Sequence, residues 1–121
     1  MKDMKRIVLR AKVHRAVVTE SVLDYEGSLS LDADLMNSAD MIPFEQVQVY
    51  NVSNGERFVT YLIKAEAGSG QVGVYGAAAH KASPGDKLII ATYVLLDDEE
   101  TEFLTPKIII LDNRNRIKEN R

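Results

Sequence analysis

Short runs in which apolar and polar residues alternate, each ended by a turn signal, constrain the fold of this 121-residue chain more than any other feature. In residues 6–19, apolar side chains occupy the odd positions from Ile7 to Val13, and basic ones occupy even positions from Arg10 to His14. A period of two is typical of a β-strand with one buried face. Comparable runs predict further strands over residues 29–31, 46–52, 57–63, 72–75, 87–96 and 108–111.

The segments between these runs predict turns and very little helix. Asn54-Gly55 is a strong hairpin signal, and Asp32 or Asp34 can cap a brief helix that must end before Pro43. Six or seven short strands with few helical residues predict a mainly β protein. We expect a small closed barrel, because closure removes exposed strand edges. Residues 113–121 contain a single apolar side chain, which predicts a mobile tail.

Length and composition exclude several classes of protein. A chain of this length predicts one domain over residues 1–121. The net charge of -3 argues against a general binder of nucleic acid or of membrane surfaces, since such proteins normally carry a basic face. The absence of cysteine excludes disulfide bonds, thiolate metal sites and a cysteine nucleophile. The N-terminal residues form neither a signal peptide nor a membrane span, so we expect a cytoplasmic protein.

The dipeptide Gly27-Ser28 predicts a self-cleavage site. Gly27 lacks a Cβ, so its carbonyl carbon can be exposed to attack, and the nearest nucleophile is the Ser28 hydroxyl. That attack would convert the amide into an ester, and β-elimination would leave a carboxylate on Gly27. The dehydroalanine left at position 28 would hydrolyse to a ketone, so that Ser28 becomes a pyruvoyl group. An ordinary turn is the alternative interpretation of a glycine followed by a serine.

A second glycine pattern suggests a different function. Residues 68–73 match the spacing of a dinucleotide-binding glycine motif. That motif requires a helix directly after the glycines, so that the helix N-terminus faces the pyrophosphate. Here a β-patterned run follows instead, and we therefore favour a hairpin turn.

Two pairs of polar residues are each predicted to share one face of a strand. Lys12 and His14 lie two positions apart, and Arg57 and Tyr61 lie four apart. A solvated strand edge explains the first pair, and a half-buried aromatic residue of the sheet explains Tyr61. Neither pair identifies a function by itself.

Together and in this order, the motifs resemble those of the aspartate 1-decarboxylase family, pyruvoyl enzymes that make β-alanine for pantothenate synthesis. The resemblance extends from about residue 6 to about residue 94. Five segments carry it with the family's spacing: Lys12-Val13-His14-Arg15, Tyr25-Glu26-Gly27-Ser28, Asn51-Val52-Ser53-Asn54-Gly55-Glu56-Arg57-Phe58, Thr60-Tyr61 and Gly76-Ala77-Ala78-Ala79-His80.

The resemblance implies a double-psi β-barrel that assembles as a homotetramer with active sites between neighbouring subunits. It also implies self-cleavage into a β chain of residues 1–27 and an α chain of residues 28–121. L-Aspartate would form a Schiff base with the pyruvoyl group at position 28, which acts as the electron sink for decarboxylation. No metal and no diffusible cofactor are implied, and a maturation factor is a possible further partner.

The resemblance also assigns roles to individual residues. Tyr61 would return a proton to the carbon that loses CO2, since a phenol with an ordinary pKa of about 10 keeps its proton at neutral pH. Lys12 and Arg57 would bind the substrate carboxylates, and arginine can donate two parallel hydrogen bonds to a planar carboxylate. The remaining substrate-binding positions are Thr60, Gly76, Ala77 and Ala78, and His14 and Tyr25 would line the site.

Tyr75 departs from the family pattern, which usually has asparagine directly before the Gly-Ala-Ala segment. An amide at this position can form hydrogen bonds near the cleavage site, whereas a phenol is larger and reaches further. Tyr75 is therefore expected to line the site and to affect the rate of self-cleavage. Two alternatives follow, namely a decarboxylase that has lost processing and a non-enzymatic double-psi barrel that recognises other proteins.

Overall fold

The computed structural model describes residues 4–121, which contain nine β-strands, one α-helix and two 3₁₀ helices. The strands are β1 (Lys5–Val17), β2 (Glu20–Val22), β3 (Ser28–Asp32), β4 (Gln46–Asn51), β5 (Arg57–Ala65), β6 (Val72–Tyr75), β7 (Lys87–Asp97), β8 (Lys107–Leu111) and β9 (Ile117–Asn120). Helix α1 spans Ala33–Ser38, and the 3₁₀ helices span Gly76–His80 and Asp98–Phe103.

The strands follow the order β2-β6-β3-β5-β4-β7-β1-β8-β9. The pairs β2–β6, β3–β5 and β1–β8 are parallel, and the other neighbours are antiparallel. One face of this arrangement encloses the core, whose fully buried members include Val13, Leu29, Leu31, Val47, Val49, Leu62, Leu88 and Ile90. The predicted mainly β class is confirmed, while closure into a barrel stays a prediction.

Strand β1 contains two irregularities that change which residues face the core. Its register with β7 shifts between Leu9 and Ala11 and again between His14 and Ala16. Such a bulge places two residues opposite one and reverses the alternation beyond it. Ala11 is therefore fully buried whereas Ile7 is exposed, and the prediction that both share one face is wrong.

The C-terminal residues form structure where the sequence predicted a mobile tail. β9 pairs with β8, and Asn115 is buried just before it. The Asn115 amide group donates to the carbonyl oxygens of Val17 at 2.9 Å and Gly70 at 2.8 Å. The segment is held in place by backbone pairing and by one buried amide. Neither produces an alternating pattern of apolar side chains, so the sequence did not predict this strand.

The glycine-rich turn at residues 68–70 is fastened by a carboxylate of the chain itself. Asp32 accepts hydrogen bonds from the backbone amides of Gly68 at 3.0 Å and Gly70 at 2.8 Å. The same side chain caps α1 through the Asp34 amide, as predicted. The turn leads into β6, but β5 and β6 pair with opposite edges of β3. It is therefore not the predicted hairpin, and Asp32 occupies amides that a nucleotide phosphate would require.

Candidate active site around Gly27 and Ser28

The predicted cleavage site lies where β3 begins. Ser28 is the first residue of β3, is only 2% exposed and is paired across the sheet with Tyr75 of β6. Its hydroxyl donates to the carbonyl oxygen of Glu26 at 3.2 Å, which keeps the oxygen beside the turn formed by residues 26–28. The structure thus buries the candidate nucleophile next to the peptide bond that it is predicted to attack.

Gly76 packs directly against Gly27. Its φ angle of +73° is one that residues with side chains rarely adopt. A Cβ atom on Gly76 would lie 2.7 Å from the Cα atom and 2.9 Å from the nitrogen of Gly27, and 3.1 Å from the Tyr25 oxygen. Only glycine lets the two segments approach this closely. The next residues, Ala77 and Ala78, continue the 3₁₀ helix with exposed and half-buried side chains.

The Tyr75 side chain occupies a polar cluster beside β3. Its hydroxyl lies 3.0 Å from the Ser30 hydroxyl and accepts a hydrogen bond from the Gln71 amide at 3.1 Å. It donates to the Glu20 carboxylate at 2.5 Å. Burial and then the bond to Glu20 raise the pKa of Tyr75 above its usual value, so the phenol remains a donor at neutral pH.

Space for the Tyr75 side chain comes from Gly73, whose Cβ would lie 2.3 Å from the Tyr75 hydroxyl oxygen. The ring of Tyr25 covers the Tyr75 ring with centroids 5.0 Å apart. Both tyrosines line a cavity of about 370 Å³ together with Glu20, Ser30 and Gln71. Tyr75 and Tyr25 therefore lie beside the segment that contains the predicted cleavage site, and Glu20 joins them there.

Tyr61 lies at the same end of the sheet as Ser28. In the parallel pair β3–β5, Leu29 is opposite Leu62, and Ser28 and Tyr61 directly precede these residues. Neighbouring strands are spaced about 5 Å apart, so the two backbones are close. Both side chains lie on the face opposite the buried leucines. The pairing of β3 with β5 thus brings the backbones of the predicted nucleophile and the predicted proton donor close to each other.

The ring of Tyr61 is 36% exposed and lines a cavity of about 510 Å³ with Phe44, Gln46, Val59 and Thr60. The ring of Phe44 packs against that of Tyr61, with 6.3 Å between the ring centroids. Phe44 has a φ angle of +70°, which is uncommon for a bulky residue. Thr60 lies on the face opposite Tyr61, because successive residues of a strand point to opposite sides.

Hydrogen bonds of the Glu45 carboxylate stabilise the loop that contains Phe44. This carboxylate accepts hydrogen bonds from Arg10 at 2.7 Å and from Thr92 at 2.8 Å. Burial alone would raise the pKa of Glu45, but these bonds and one from the Ile42 amide outweigh it and lower the pKa below its usual value. The loop beside Tyr61 is thus held by an ionised side chain.

Arg57 lies at the other end of β5, with its guanidinium carbon 4.7 Å from the ring centroid of Tyr50. Tyr50 is the cross-strand partner of Arg57, and its hydroxyl lies 2.7 Å from that of Tyr93. The three side chains border a cavity of about 470 Å³. Within residues 4–121, Arg57 and Lys12 form no ion pair.

The imidazole of His14 lacks a hydrogen bond within residues 4–121. Burial, followed by the nearby charges of Lys12, Arg15 and Arg121, lowers the pKa of His14, which therefore stays largely neutral at pH 7. Its Nδ1 atom is buried and has no hydrogen-bond partner among the residues described. A buried polar atom of this kind is unfavourable unless another group reaches it.

Two of the predicted site residues, His14 and Arg57, lie in one row of directly opposite residues across the sheet. His14 is opposite Ile89, Ile89 is opposite Tyr50, and Tyr50 is opposite Arg57. Side chains of directly opposite residues share a face, so this row crosses β1, β7, β4 and β5 on the same outer face as Tyr61. Lys12 on β1 is four strand spacings from Ser28 on β3, or roughly 19 Å along the sheet.

Sequence reasoning missed several residues at these positions. Tyr50 had an available signal, because the Asn54-Gly55 turn sets the register that brings it opposite Arg57. Phe44, Glu20 and Gln71 had none, since each meets its partner through contacts between distant segments.

Two further features of residues 4–121 concern metals and membranes. No three His, Asp or Glu side chains are grouped so that they could hold a metal ion. The helices in this part of the chain are too short to cross a lipid bilayer.

Known proteins resemble this chain over nearly its full length. A family model described as aspartate decarboxylase matches residues 4–118. A protein of Ralstonia nicotianae named aspartate 1-decarboxylase is 54% identical over 116 residues, covering 96% of this chain and 97% of its own. Proteins of the same name from Bordetella pertussis and Thioalkalivibrio sulfidiphilus are 51% and 53% identical, covering 98% and 91% of this chain and 97% and 87% of their own. The chain therefore belongs to the aspartate decarboxylase family.

Proposed function

We propose that this protein decarboxylates L-aspartate to β-alanine and CO2 in the cytoplasm, supplying pantothenate synthesis, with a pyruvoyl group made from Ser28. The observation that carries the proposal is the geometry at Gly27-Ser28. The buried hydroxyl of Ser28 donates to the carbonyl oxygen of Glu26, the residue before Gly27, and Gly27 packs against a second glycine, Gly76. Family membership provides the reaction, and this site provides the place for it.

Self-cleavage needs only atoms of the chain and water. The Ser28 Oγ atom attacks the Gly27 carbonyl carbon, the C–N bond breaks, and the proton moves to the released nitrogen. Loss of the Cα proton and cleavage of the Cβ–O bond then release the Gly27 carboxylate. Water adds to the resulting dehydroalanine and ammonia leaves, which gives the ketone. The product is smaller than serine, so it fits the space that Ser28 occupies.

Cleavage also explains how substrate reaches a buried residue. Ser28 is 2% exposed in the intact chain, whereas Tyr25 three residues earlier is 61% exposed. Breaking the bond after Gly27 frees the segment 24–27 from Ser28, and this segment can then move away. The proposed division into residues 1–27 and 28–121 therefore opens the site as well as creating the reactive group.

The pyruvoyl carbonyl supplies an electron sink for the carboxylate that is lost. The residues of the chain bind the substrate and move a proton. Tyr61 would protonate the substrate carbon, a role supported by its position on β5 beside the strand that begins at Ser28. Within residues 4–121, Arg57 and Lys12 form no ion pair, and their charges suit the substrate's two carboxylates.

The distance between these groups supports an active site shared by two copies of the chain. Counted along the sheet, Lys12 and His14 on β1 lie four strand spacings from Ser28 on β3, with β5, β4 and β7 between them. A neighbouring copy that presents Lys12, His14 and Arg57 to Ser28 and Tyr61 would complete the site and could supply a partner for the His14 Nδ1 atom, which has none within residues 4–121. We therefore propose a homotetramer of double-psi β-barrels with sites at its interfaces.

Replacing Ser28 tests the proposal directly. Wild type should yield two fragments of residues 1–27 and 28–121, the larger carrying a pyruvoyl group, when its intact mass is measured under denaturing conditions. Ser28→Ala should remain one folded chain without β-alanine production, and Ser83→Ala, at an exposed serine, should behave as wild type. Production of β-alanine by Ser28→Ala would refute the pyruvoyl assignment. A folded wild type that stays intact and inactive would favour the protein-recognition module.

A further inference from the structure

We propose that Glu20 is a positioning residue for self-cleavage, acting through the Tyr75 hydroxyl to hold the Gly27-Ser28 peptide bond in place. This inference rests on the proposed function. Glu20 begins β2, an edge strand of three residues that pairs in parallel with β6. Its backbone lies opposite Gly73, the residue whose missing side chain leaves room for the Tyr75 hydroxyl.

Tyr75 connects Glu20 to the cleavage site by two separate routes. Its backbone is the cross-strand partner of Ser28, and its carbonyl oxygen lies 3.8 Å from where a Cβ of Gly27 would be. Its ring supports the ring of Tyr25, two residues before Gly27. The Tyr75 side chain therefore packs behind the segment that contains the Gly27-Ser28 peptide bond.

The bond to Glu20 decides where this phenol points. At 2.5 Å it is the shortest of the three polar contacts of the Tyr75 hydroxyl, and the partner is a carboxylate. Hydrogen bonds to charged groups contribute more than those between neutral groups. Ser30 and Gln71 form the other two polar contacts of the Tyr75 hydroxyl, on the side away from Ser28. The three contacts together restrict movement of the Tyr75 side chain.

Loss of the carboxylate should act on cleavage more than on decarboxylation. Attack by Ser28 requires its oxygen and the Gly27 carbonyl carbon to be aligned, and small displacements slow such reactions strongly. Once the bond after Gly27 is broken, alignment of these two atoms no longer matters. Glu20 itself lies in the fragment 1–27, whereas Ser30, Gln71 and Tyr75 lie in 28–121.

The test follows fragment formation by intact mass in freshly purified full-length chains. Glu20→Ala and Tyr75→Phe should each cleave about tenfold more slowly than wild type, as expected for loss of a charge-assisted hydrogen bond. Glu20→Gln, whose amide oxygen still accepts the bond, should recover much of the rate. Glu99→Ala, at an exposed glutamate, should match wild type. The double variant should be no slower than either single variant.

The kcat of the cleaved protein distinguishes a role of Glu20 in self-cleavage from a general structural role. Cleaved Glu20→Ala should have the wild-type kcat for each pyruvoyl group. Wild-type cleavage by Glu20→Ala, or additive effects in the double variant, would overturn the inference. If Glu20→Ala fails to fold, as judged by circular dichroism, the same comparison is made with Glu20→Gln, Tyr75→Phe and their combination. An uncleaved wild type would overturn the proposed function and this inference together, whereas a cleaved wild type with unaffected variants overturns the inference alone.

Discussion

Gly76→Ala should damage both stability and self-cleavage, because it introduces one methyl group at the closest approach to the cleavage site. The new Cβ would lie 2.7 Å and 2.9 Å from two backbone atoms of Gly27. Backbone atoms cannot swing aside as the end of a flexible side chain can. Either the segment 25–27 or the start of the 3₁₀ helix must shift.

Two contributions determine the magnitude. An alanine at φ +73° costs about 1–2 kcal/mol relative to glycine. Overpacking against a fixed neighbour typically costs about a further 1–3 kcal/mol. We therefore expect the free energy of unfolding to fall by about 2–5 kcal/mol, which corresponds to a lower Tm by roughly 8 °C or more.

Gly55→Ala provides a matched control. Gly55 has a φ angle of +80°, but a Cβ there would meet nothing within 4 Å. Its cost should be the conformational one alone, about 1–2 kcal/mol. Stability is best measured by denaturant unfolding in the Ser28→Ala background, so that all chains are uncleaved, and at one protein concentration, since assembly also contributes. Cleavage rates are measured by intact mass with Ser28 present.

The difference between the two variants isolates the contact with Gly27. Gly76→Ala should be the less stable variant by about 1–3 kcal/mol and should cleave more slowly, while Gly55→Ala should cleave at the wild-type rate. Equal stability and equal cleavage rates in both variants would refute the argument that the approach of Gly76 constrains the cleavage site.

Two further predictions concern the catalytic groups. Tyr61→Phe should still cleave itself but lose turnover by about 10²-fold or more, because the proposed proton donor is missing; full β-alanine production by the cleaved variant would remove Tyr61 from that role. Lys12→Ala and Ser28→Ala chains should each be inactive alone but partly active when co-expressed, because the proposed tetramer would then contain sites with Ser28 from one copy and Lys12 from another. A mixture as inactive as its parts would place both residues within one copy's site.

Residues that depend on local pattern could be predicted from sequence. Seven strands were located by alternation and turn signals, and Asp32 was identified as a candidate cap of α1. The two strands that were missed, β2 and β9, have three and four residues, too few for a period of two to be recognised. Their positions come from pairing with β6 and β8, which local sequence does not encode.

The site was predicted less evenly, because resemblance supplies a list of residues without their arrangement. Gly27, Ser28, Tyr75 and Gly76 lie together because β3 and β6 pair. Lys12 lies on β1, separated from β3 by three strands, and Arg57 lies at the far end of β5, so their sharing a site with Ser28 stays a prediction. Only strand order reveals this separation, and strand order depends on contacts between distant segments.

Tyr75 shows why a departure from a family pattern cannot be interpreted one position at a time. From sequence, the larger side chain was expected to alter the surroundings of Ser28. In the structure its hydroxyl is turned to Glu20, Ser30 and Gln71, and the absence of a side chain at Gly73 makes room for it. What Tyr75 presents to Ser28 is its backbone, which any residue can provide. An effect of the phenol on cleavage would pass through the Tyr75 backbone, which pairs with Ser28, and through the contact of its ring with Tyr25, and both routes depend on the hydrogen bond that Glu20 forms with the hydroxyl.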